Sequence, residues 1–543
     1  MLGWVRVFVK TAASMLIGAA VFSQGARDIQ QLSQGARPPT PVLASFDGLG
    51  VGMTPGPGTD DPPVPRQPSD NSLAVGPNHV FQIVNSQLAI FDKQGKTVYG
   101  PTSTNTMFAG FGGACEERPN GDAVVRYDQL AGRWLVVMPI FRRVVFDADR
   151  SKPGEPARPG EAARANVGRP GPPPPLPAPQ ARPSAAGRPP PPPSREGAYA
   201  MCYALSATSD PLGTYFRYAF ERPLFPDYPR PAVWPDGYYV PTSTGDDVIQ
   251  KHACVVERAR MLKGEPAREQ CIVVDGVNFL NNADVEGPAP PPSGAPNIMM
   301  AAGGTQLKGV LEDDAIFAWQ FHVDWHDLSK TKVSGPARIA VAPYHYLCGG
   351  QLTNCVPQPA GAGPGGSDTR RLDAQGDKIM QRLVYRNVRG LETIVAVHSV
   401  DSAAGGGGVR WYEFFVNHPD RAVTLHQQGT YAPDALFRWM ASPAIDRRGN
   451  IAIGYSFGGS PNFPGQRFAA RLADDPLGVL TFHETVLAEG EASQSAMRWE
   501  DYTQAAVDPA DDCTIWYVGD YVKRDAASYS TRIGAFRIPG CRP

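Results

Sequence analysis

A short strand-like phrase that returns along the chain constrains the fold more than any other feature of the sequence. It is clearest in Leu73 to Asn85 and again in Ala505 to Tyr517. Each copy reads as an apolar strand, a turn built on Asp, Pro, Gly or Asn, and a second apolar strand, which is the pattern of a β-hairpin. Hairpins that recur at a regular period are typical of propellers and other repeat arrays. The sequence therefore predicts an all-β protein rather than a single-core enzyme fold.

Six copies of the hairpin can be aligned on the turn residues. The second strand of each copy is expected at Val80 to Val84, Trp134 to Met138, Tyr238 to Pro241, Thr393 to His398, Asn450 to Tyr455 and Thr514 to Val518. A weaker seventh hairpin is expected around Ala315 to Trp325. The spacing of roughly 50 to 60 residues suits a blade of four strands with its loops. We expect a β-propeller of about seven four-stranded blades, within a range of six to eight; a pair of β-sandwiches would not repeat one hairpin so evenly.

Length and charge exclude some classes of function. The chain has 543 residues, which is too long for one ordinary core, and its 51 Lys and Arg against 53 Asp and Glu leave a formal net charge of -2. No basic surface for DNA or RNA is indicated. The 57 Gly and 56 Pro suit a chain that turns often.

The N-terminus has the pattern of an export signal. Arg6 and Lys10 precede the apolar stretch 11–22, which is short for a membrane span. We predict a signal peptide at 1–26, a Pro/Gly-rich extended lead-in at 27–66 and the propeller domain at 67–543. An uncleaved anchor helix is the alternative. The mature protein is expected to be a secreted monomer, extracellular or periplasmic, with no membrane span.

Eight cysteines agree with an oxidising compartment, because an even count is what a disulfide framework needs. The absence of any C-x-x-C pair argues against zinc or thioredoxin-like chemistry. Pairing between neighbours is expected to give Cys115 with Cys202, Cys254 with Cys271, Cys348 with Cys355, and Cys513 with Cys541.

A proline-rich segment interrupts the second hairpin unit. Between Pro153 and Pro193 the chain has sixteen prolines, with Gly, Ala and Arg between them. Such a composition cannot bury a core, so we predict a disordered insertion at 150–197. A tolerated loop insertion is favoured over a binding role for this segment.

Several motifs resemble a family of secreted bacterial propeller-like proteins. They are Phe46 to Gly50, Asp70 to His79, Gly121 to Trp134, Ala207 to Tyr215 and Arg498 to Tyr502. The likeness extends from about residue 46 to the C-terminus, and it implies export and a propeller. The proline-rich insertion is a departure from the family pattern. The resemblance implies no catalytic residues.

Acidic residues recur just before the aligned turns. Because propellers place functional groups where the innermost strands begin, carboxylates at these positions are expected to converge on a central channel mouth. A ring of this kind could hold Ca²⁺ through oxygen ligands, or a cationic or polyhydroxyl ligand. The alternative is that Asp only favours the turn before a strand. The candidate metal ligands are Asp70, Asp122, Asp227, Asp377 and Asp501.

Aromatic and arginine residues accompany these acids. Indole rings stack on sugars, and Arg and Asp bond hydroxyls, so the combination suits a carbohydrate site. The alternative for the tryptophans is packing between blades. The candidate ligand-binding set is Asp122, Asp227, Tyr228, Arg438, Trp439, Arg498, Trp499, Asp501 and Tyr502.

Three functions remain open from the sequence. A secreted module that binds a polysaccharide or a surface protein at the channel mouth is preferred over an enzyme. A glycoside hydrolase or lyase of sialidase-like architecture is the second possibility, although the Ser-x-Asp-x-Gly-x-x-Trp box of sialidases is missing and no pair of carboxylates can be assigned. A structural envelope or secreted scaffold is the third. No cofactor is assigned, apart from the possible Ca²⁺.

Overall fold

The described part of the chain is all-β, with almost no helix. A computed structural model describes residues 29–59, 66–141, 143–145, 194–244, 250–350, 354–359 and 371–542. Helical structure within these ranges is confined to single turns: α1 (Ala114–Glu117), α2 (Arg258–Met261) and 3-10 turns at Thr104–Phe108, Leu328–Lys330 and Leu347–Gly349. Within the same ranges no helix is long and apolar enough to cross a membrane. The expected signal peptide and most of the expected proline-rich insertion lie outside the described residues.

The first half of the chain forms three four-stranded sheets. The first contains β3 (Ser72–Val75), β4 (His79–Val84), β5 (Gln87–Asp92) and β6 (Thr97–Ser103). The second contains β7 (Val124–Asp128), β8 (Arg133–Ile140), β11 (Tyr199–Ser206) and β12 (Tyr215–Arg222). The third contains β13 (Ala232–Trp234), β14 (Gly237–Thr244), β15 (Gln250–Val256) and β16 (Glu269–Val274). A small ribbon of β9 (Arg143–Val145) and β10 (Ser194–Glu196) extends the second sheet between β8 and β11.

A nine-stranded sheet follows and consists of two antiparallel meanders. One contains β17 (Asn281–Val285), β18 (Asn297–Ala302), β19 (Ala315–His322) and β20 (Lys332–Ala340). The other contains β21 (Leu383–Val388), β22 (Leu391–Asp401), β23 (Gly407–Val416) and β24 (Val423–Tyr431). Parallel pairing of β17 with β21 joins the two meanders, and β1 (Gln30–Gln31) adds to the far edge of β24. The chain thus keeps the same four-strand pattern where the sheets merge.

Two further four-stranded sheets complete the described fold. One contains β25 (Phe437–Ile445), β26 (Ile451–Gly459), β27 (Asn462–Arg471) and β28 (Thr485–Ala488). The last contains β29 (Gln504–Val507), β30 (Thr514–Tyr521), β31 (Ser530–Arg537) and, at its edge, β2 (Val42–Gly50). The six aligned hairpins of the sequence correspond to the first two strands of six meanders. In the remaining meander the first hairpin is β17–β18, and Ala315–His322 is its third strand rather than part of the first pair.

The N-terminal segment is integrated into the sheets. Strand β1 pairs in parallel with β24, Arg37 bridges to Phe482 beside β28, and β2 pairs antiparallel with β31. Residues 29–59, expected as an extended lead-in, therefore include two strands. The reason is that the last meander supplies only three strands of its own, so that β31 would otherwise leave its outer backbone groups unpaired.

The core lies between neighbouring sheets. Trp134 on β8 is fully buried and packs against the first sheet, where a Cβ on Gly76 would approach its ring to 2.3 Å. Trp234, Trp411, Trp439 and Trp499 are also fully buried. Large aromatic side chains thus fill the spaces between sheets, which is the packing alternative that the sequence left open for them.

A buried ionic network connects the first strands of several meanders. Arg382, just before β21, bonds Asp284 at 2.7 Å and Glu286 at 2.8 Å, and Arg126 on β7 lies 3.2 Å from Asp284. Glu286 also accepts the Val507 amide of β29 at 3.0 Å. These side chains are at most 6% exposed. A cavity of about 20 Å³ beside them has room for little more than one water molecule.

Four disulfides staple the sheets and loops, in the four pairs expected from chain order. They are Cys115–Cys202, Cys254–Cys271, Cys348–Cys355 and Cys513–Cys541. The first connects α1 to β11. The second connects directly opposed residues of β15 and β16, and the last connects the start of β30 to the chain end beyond β31.

Candidate functional site

Carboxyl groups from separate meanders meet just before the first strands of those meanders. Asp70 precedes β3, Asp122 precedes β7, Asp227 precedes β13 and Asp501 precedes β29. Asp373, from the loop that leads to β21, joins them through Arg498. We call these five residues the acidic cluster. Asp70, Asp373 and Asp501 are buried, whereas Asp122 and Asp227 are partly exposed, so that the cluster opens to solvent on one side.

Arg498 neutralises one side of the acidic cluster. Its Nε donates to Asp373 Oδ2 at 2.9 Å, and its Nη2 donates to Asp501. Gln375 also donates to Asp501, and the Trp499 amide donates to Asp373 at 3.0 Å. The guanidinium is 32% exposed, so it retains access to a ligand while it holds two carboxylates.

The other side of the cluster lacks such a cation. The carboxyl groups of Asp70 and Asp122 lie close together, and Asn85 donates to Asp70 Oδ2 at 2.7 Å. Among the described residues, no Lys or Arg lies within ion-pair distance of Asp70, Asp122 or Asp227. Within the same part of the chain, Asp70 Oδ1 is buried without a hydrogen-bond partner. The three carboxyl groups are thus held together with few donors, the Asn85 amide for Asp70 and the Tyr228 backbone N–H for Asp227.

Burial and mutual repulsion raise the pKa values in the cluster. Burial is the larger cause for Asp70 and Asp122, whose pKa values lie well above the usual range, and the charges of neighbouring aspartates add to it. The same causes raise the pKa of Asp227 to about 6. Burial and Asp501 raise the pKa of Asp373 to about 7, although Arg498 opposes the shift. The cluster therefore takes up protons near neutral pH or requires another positive charge.

Two stacked tyrosines form the wall beside the acids. The rings of Tyr228 and Tyr502 lie 4.4 Å apart, and the Tyr228 hydroxyl donates to the Asp501 carbonyl at 2.8 Å. The Tyr502 hydroxyl is fully buried and has no hydrogen-bond partner in the described structure. Burial raises its pKa, and the charges of Asp122, Tyr228 and Asp70 add to this shift. The Tyr502 hydroxyl therefore lies near the carboxyl groups of Asp70 and Asp122.

A cationic and aromatic group lies behind Tyr228. The Phe279 ring is partly buried and stands 4.3 Å from the ammonium of Lys378 and 5.5 Å from that of Lys251. Burial lowers the pKa of Lys251 to about 8. Lys378 also donates to Gln375 at 2.9 Å, and Arg230 lies 4.7 Å over the Tyr228 ring. The charge of Arg230 also opposes the rise in the pKa of Asp227, so this cation acts on the acidic cluster.

The backbone adopts unusual conformations at the same place. Asp70, Tyr228 and Asp501 have φ values of 49°, 53° and 65°, in the left-handed region that non-glycine residues rarely occupy. For tyrosine such a conformation is costly, and it persists only where the surroundings enforce it. The chain therefore turns sharply in front of three first strands, and each turn directs a side chain toward the cluster.

Not every candidate from the sequence reaches the cluster. Arg438 is buried on β25 and bonds Glu484 and Asp434, each at 2.9 Å. Trp439 and Trp499 are fully buried with their rings 6.2 Å apart, so neither indole face is open to a ligand. Asp377 lies beside the cluster, where it bonds Lys378 and accepts from the Asn278 amide at 2.9 Å. The remaining candidates, Asp70, Asp122, Asp227, Tyr228, Arg498, Asp501 and Tyr502, are brought together.

Several residues of the site were not found by sequence reasoning. Asp373, Gln375 and Lys378 come from the long connection between β20 and β21, which has no copy of the hairpin phrase. Phe279 and Lys251 belong to neighbouring meanders and carry no local motif. From this loop only Asp377 was a sequence candidate, because of its position ahead of an aligned turn.

One group of three His, Cys, Asp or Glu side chains in the described residues has the close spacing of metal ligands. Only Cys254, Glu269 and Cys271 bring three such ligand atoms within 4.8 Å of one another, and the two cysteines form a disulfide. Disulfide sulfurs are not the thiolates that bind metals, so this group is not a metal centre. The acidic cluster does not present three carboxylates at that spacing.

Comparison with known proteins places the chain in no family. No family model and no curated protein matches it. Similar solved structures include a protein of unknown function from Dyadobacter fermentans, with 8% identity, coverage of 92% of this chain and 100% of the other, and a TM-score of 0.37. An ulvan lyase of polysaccharide lyase family PL25 has 9% identity, coverage of 92% and 95%, and a TM-score of 0.38. The catalytic domain of an α-L-arabinofuranosidase from Coprinopsis cinerea has 9% identity, coverage of 56% and 89%, and a TM-score of 0.27. At these TM-scores the likeness gives no information about activity.

Proposed function

We propose that the chain is a secreted seven-bladed β-propeller that binds an extracellular glycan at the acidic cluster. The blades are the seven four-strand units, with β2 as the outer strand of the last. Support for a closed ring comes from contacts between successive first strands: β3 with β7, β7 with β13, β13 with β17, β17 with β21, β21 with β25, β25 with β29, and β29 with β3. Pairing of β2 with β31 would fasten the ends of the chain in one blade.

An extracellular location is supported by the disulfides. Four disulfides use every cysteine of the chain, and such bonds persist in oxidising compartments. The locations consistent with this are the extracellular space and the periplasm. The ligand is then expected among the molecules found there, which include polysaccharides and surface proteins.

The observation that carries the glycan assignment is the chemistry at the open side of the cluster. Asp122 and Asp227 offer acceptor oxygens, and Arg498 offers donors next to them, all partly exposed. A sugar ring presents hydroxyls that both donate and accept, so it can use the two kinds of group together. The partly buried ring of Phe279 lies nearby for apolar contact with a sugar face.

The ionic network closes the other side of the site. Arg126, Asp284, Arg382 and Glu286 fill the space between first strands and leave a cavity of about 20 Å³. A glycan could not pass through such a space. We therefore infer that the ligand approaches from the face on which the first strands begin.

A glycoside hydrolase or lyase is the second candidate. The favouring observation is that the cluster contains carboxyls of two kinds: Asp501 is paired with Arg498, whereas Asp227 forms no ion pair among the described residues. A glycosidase needs one ionised and one protonated carboxyl on either side of the bond that it cleaves. Reducing ends or unsaturated products released from a polysaccharide would support the enzyme over the binding module.

Affinity electrophoresis in gels that contain soluble polysaccharides tests the proposal. We expect at least one polysaccharide to retard the protein, and Asp227→Asn to reduce the retardation by about tenfold in apparent affinity. Asp474→Asn, which changes an exposed aspartate in the turn after β27, is the matched control. If Asp227→Asn and Asp474→Asn are retarded equally, or if no polysaccharide retards the protein, a protein ligand or a scaffold role is favoured instead.

A further inference from the structure

The acidic cluster lacks positive charge on one side. Arg498 serves Asp373 and Asp501, and the cations Lys251 and Lys378 lie behind aromatic rings. Asp70 and Asp122 nevertheless contact each other through their carboxyl groups. Two carboxylates in close contact repel each other, so they share a proton or hold a cation.

Two buried oxygens in this region have no partner within the described structure. One is Asp70 Oδ1, on a residue that is 2% exposed, and the other is the hydroxyl of Tyr502, which is 0% exposed. A buried polar atom without a partner loses its hydrogen bonds to water and gains none in the folded protein. The Tyr502 oxygen is not part of any carboxylate, so it is independent evidence that the space beside Asp70 and Asp122 is built for a ligand.

We propose that a divalent cation of the Ca²⁺ type binds between Asp70 and Asp122, with the Tyr502 hydroxyl as a further oxygen ligand and water in the remaining positions. Ca²⁺ takes six to eight oxygen ligands and accepts carboxylates, neutral oxygens and water together. Asp227, the third carboxyl of this side, adds its negative charge beside Asp122. The site goes beyond the glycan proposal and does not depend on it.

The spacing of the acids decides what kind of site this is. Three carboxylates do not lie within 4.8 Å of one another, so the ion would not be enclosed by protein ligands alone. A site with two carboxylates, one hydroxyl and several waters remains open to further oxygen ligands. Partly exposed Asp122 places that open side toward solvent, where a hydroxyl of a bound molecule could replace water.

Terbium luminescence tests the site without any glycan. Tb³⁺ substitutes for Ca²⁺ and emits when a nearby tyrosine is excited, and the stacked Tyr228 and Tyr502 would act as the donors. We expect saturable emission that Ca²⁺ displaces in the full mature chain. Asp70→Asn and Asp122→Asn should each weaken Ca²⁺ affinity at least tenfold, and Tyr502→Phe should weaken it several-fold.

Asp474→Asn is the matched control, because this exposed aspartate lies at the opposite ends of the strands from the cluster. Its affinity should stay within twofold of the unmodified protein. Circular dichroism would establish that each variant is folded before titration. The proposal is overturned if no saturable Ca²⁺ displacement occurs, or if both asparagine variants bind as tightly as the control. If the protein binds a glycan but no Ca²⁺, the metal proposal is refuted and the glycan proposal stands.

Discussion

Replacing Asp520 with asparagine is expected to stabilise the protein strongly at pH 8 and only weakly at pH 5. Asp520 lies on β30, is 1% exposed and accepts a hydrogen bond from the Asn71 amide at 3.4 Å. Burial, helped by the charge of Asp501, raises its pKa from 3.8 to about 8. Asparagine keeps an acceptor oxygen for Asn71 and carries no charge at any pH.

The sign of the pH dependence follows from the direction in which the pKa of Asp520 is shifted. Because the pKa is higher in the folded chain, the contribution of Asp520 to stability is complete below pH 4 and is lost as the pH rises to 8. At about 1.4 kcal/mol per pKa unit, the full shift corresponds to roughly 5 kcal/mol at pH 8. We expect asparagine to recover about 3 to 5 kcal/mol at pH 8 and less than about 2 kcal/mol at pH 5.

Equilibrium unfolding in urea at both pH values measures the effect. Asp511→Asn is the matched control, since burial of Asp511 is outweighed by hydrogen bonds from Thr514 and by Arg537, which hold its pKa below 3.8. That variant should lose stability at both pH values. The reasoning is refuted if Asp520→Asn is no more stable than the unmodified protein at pH 8, or if its gain is the same at pH 5.

Three further predictions concern packing and crosslinks. Arg382→Met removes the cation that pairs with the buried carboxylates of Asp284 and Glu286. It should lower the free energy of unfolding in urea by about 3 to 5 kcal/mol, and a decrease below about 1 kcal/mol would contradict a tightly closed network. Gly76→Ala places a Cβ at 2.3 Å from the Trp134 ring. It should lower the free energy of unfolding by about 1 to 3 kcal/mol and shift the tryptophan fluorescence, and unchanged fluorescence would argue against this contact. Replacing Cys115 and Cys202 together by serine opens a sequence separation of 87 residues and should lower the free energy of unfolding by about 4 kcal/mol, which differential scanning calorimetry would detect.

The repeated strand pairs were predictable because their signals are local. Alternating apolar residues and a turn of Asp, Asn, Gly or Pro specify a hairpin within about a dozen residues. The second strands β4, β8, β14, β22, β26 and β30 occur where the phrase indicated. The hairpin β17–β18 was missed, since the turn between its strands is long, from 286 to 296, and has no compact turn phrase.

The composite last sheet was not predictable from local patterns. Strand β2 pairs with β31 from the other end of the chain, as in the pairing of Phe46 with Ile533. Its sequence contains glycines and one acid, which do not indicate a strand by themselves. The pairing arises because β31 needs a partner for its outer edge, a requirement that only the assembled sheet imposes.

The candidate site likewise combines features that local sequence indicated with features that it did not indicate. Asp70, Asp122 and Asp501 lie together, and each stands just before a first strand. Arg438 and Arg498 share the local Arg-Trp pair, but Arg438 already lies inside β25, and Arg498 lies in the loop before β29. The same dipeptide therefore ends in a buried ion pair in one unit and in the acidic cluster in the other.

The sequence by itself determined the all-β class, the periodic hairpins and the recurrence of acids ahead of the first strands, because these depend on residue type and short spacing. The four disulfide pairs followed from the order of the cysteines, although Cys115 and Cys202 are 87 residues apart. Only the tertiary structure decided which acids share Arg498, which oxygens stay without a partner, and that Asp373 rather than Asp377 of the same loop bonds Arg498. Those outcomes depend on the distance between residues of different sheets. The packing of whole strands sets these distances, so no short stretch of sequence determines them.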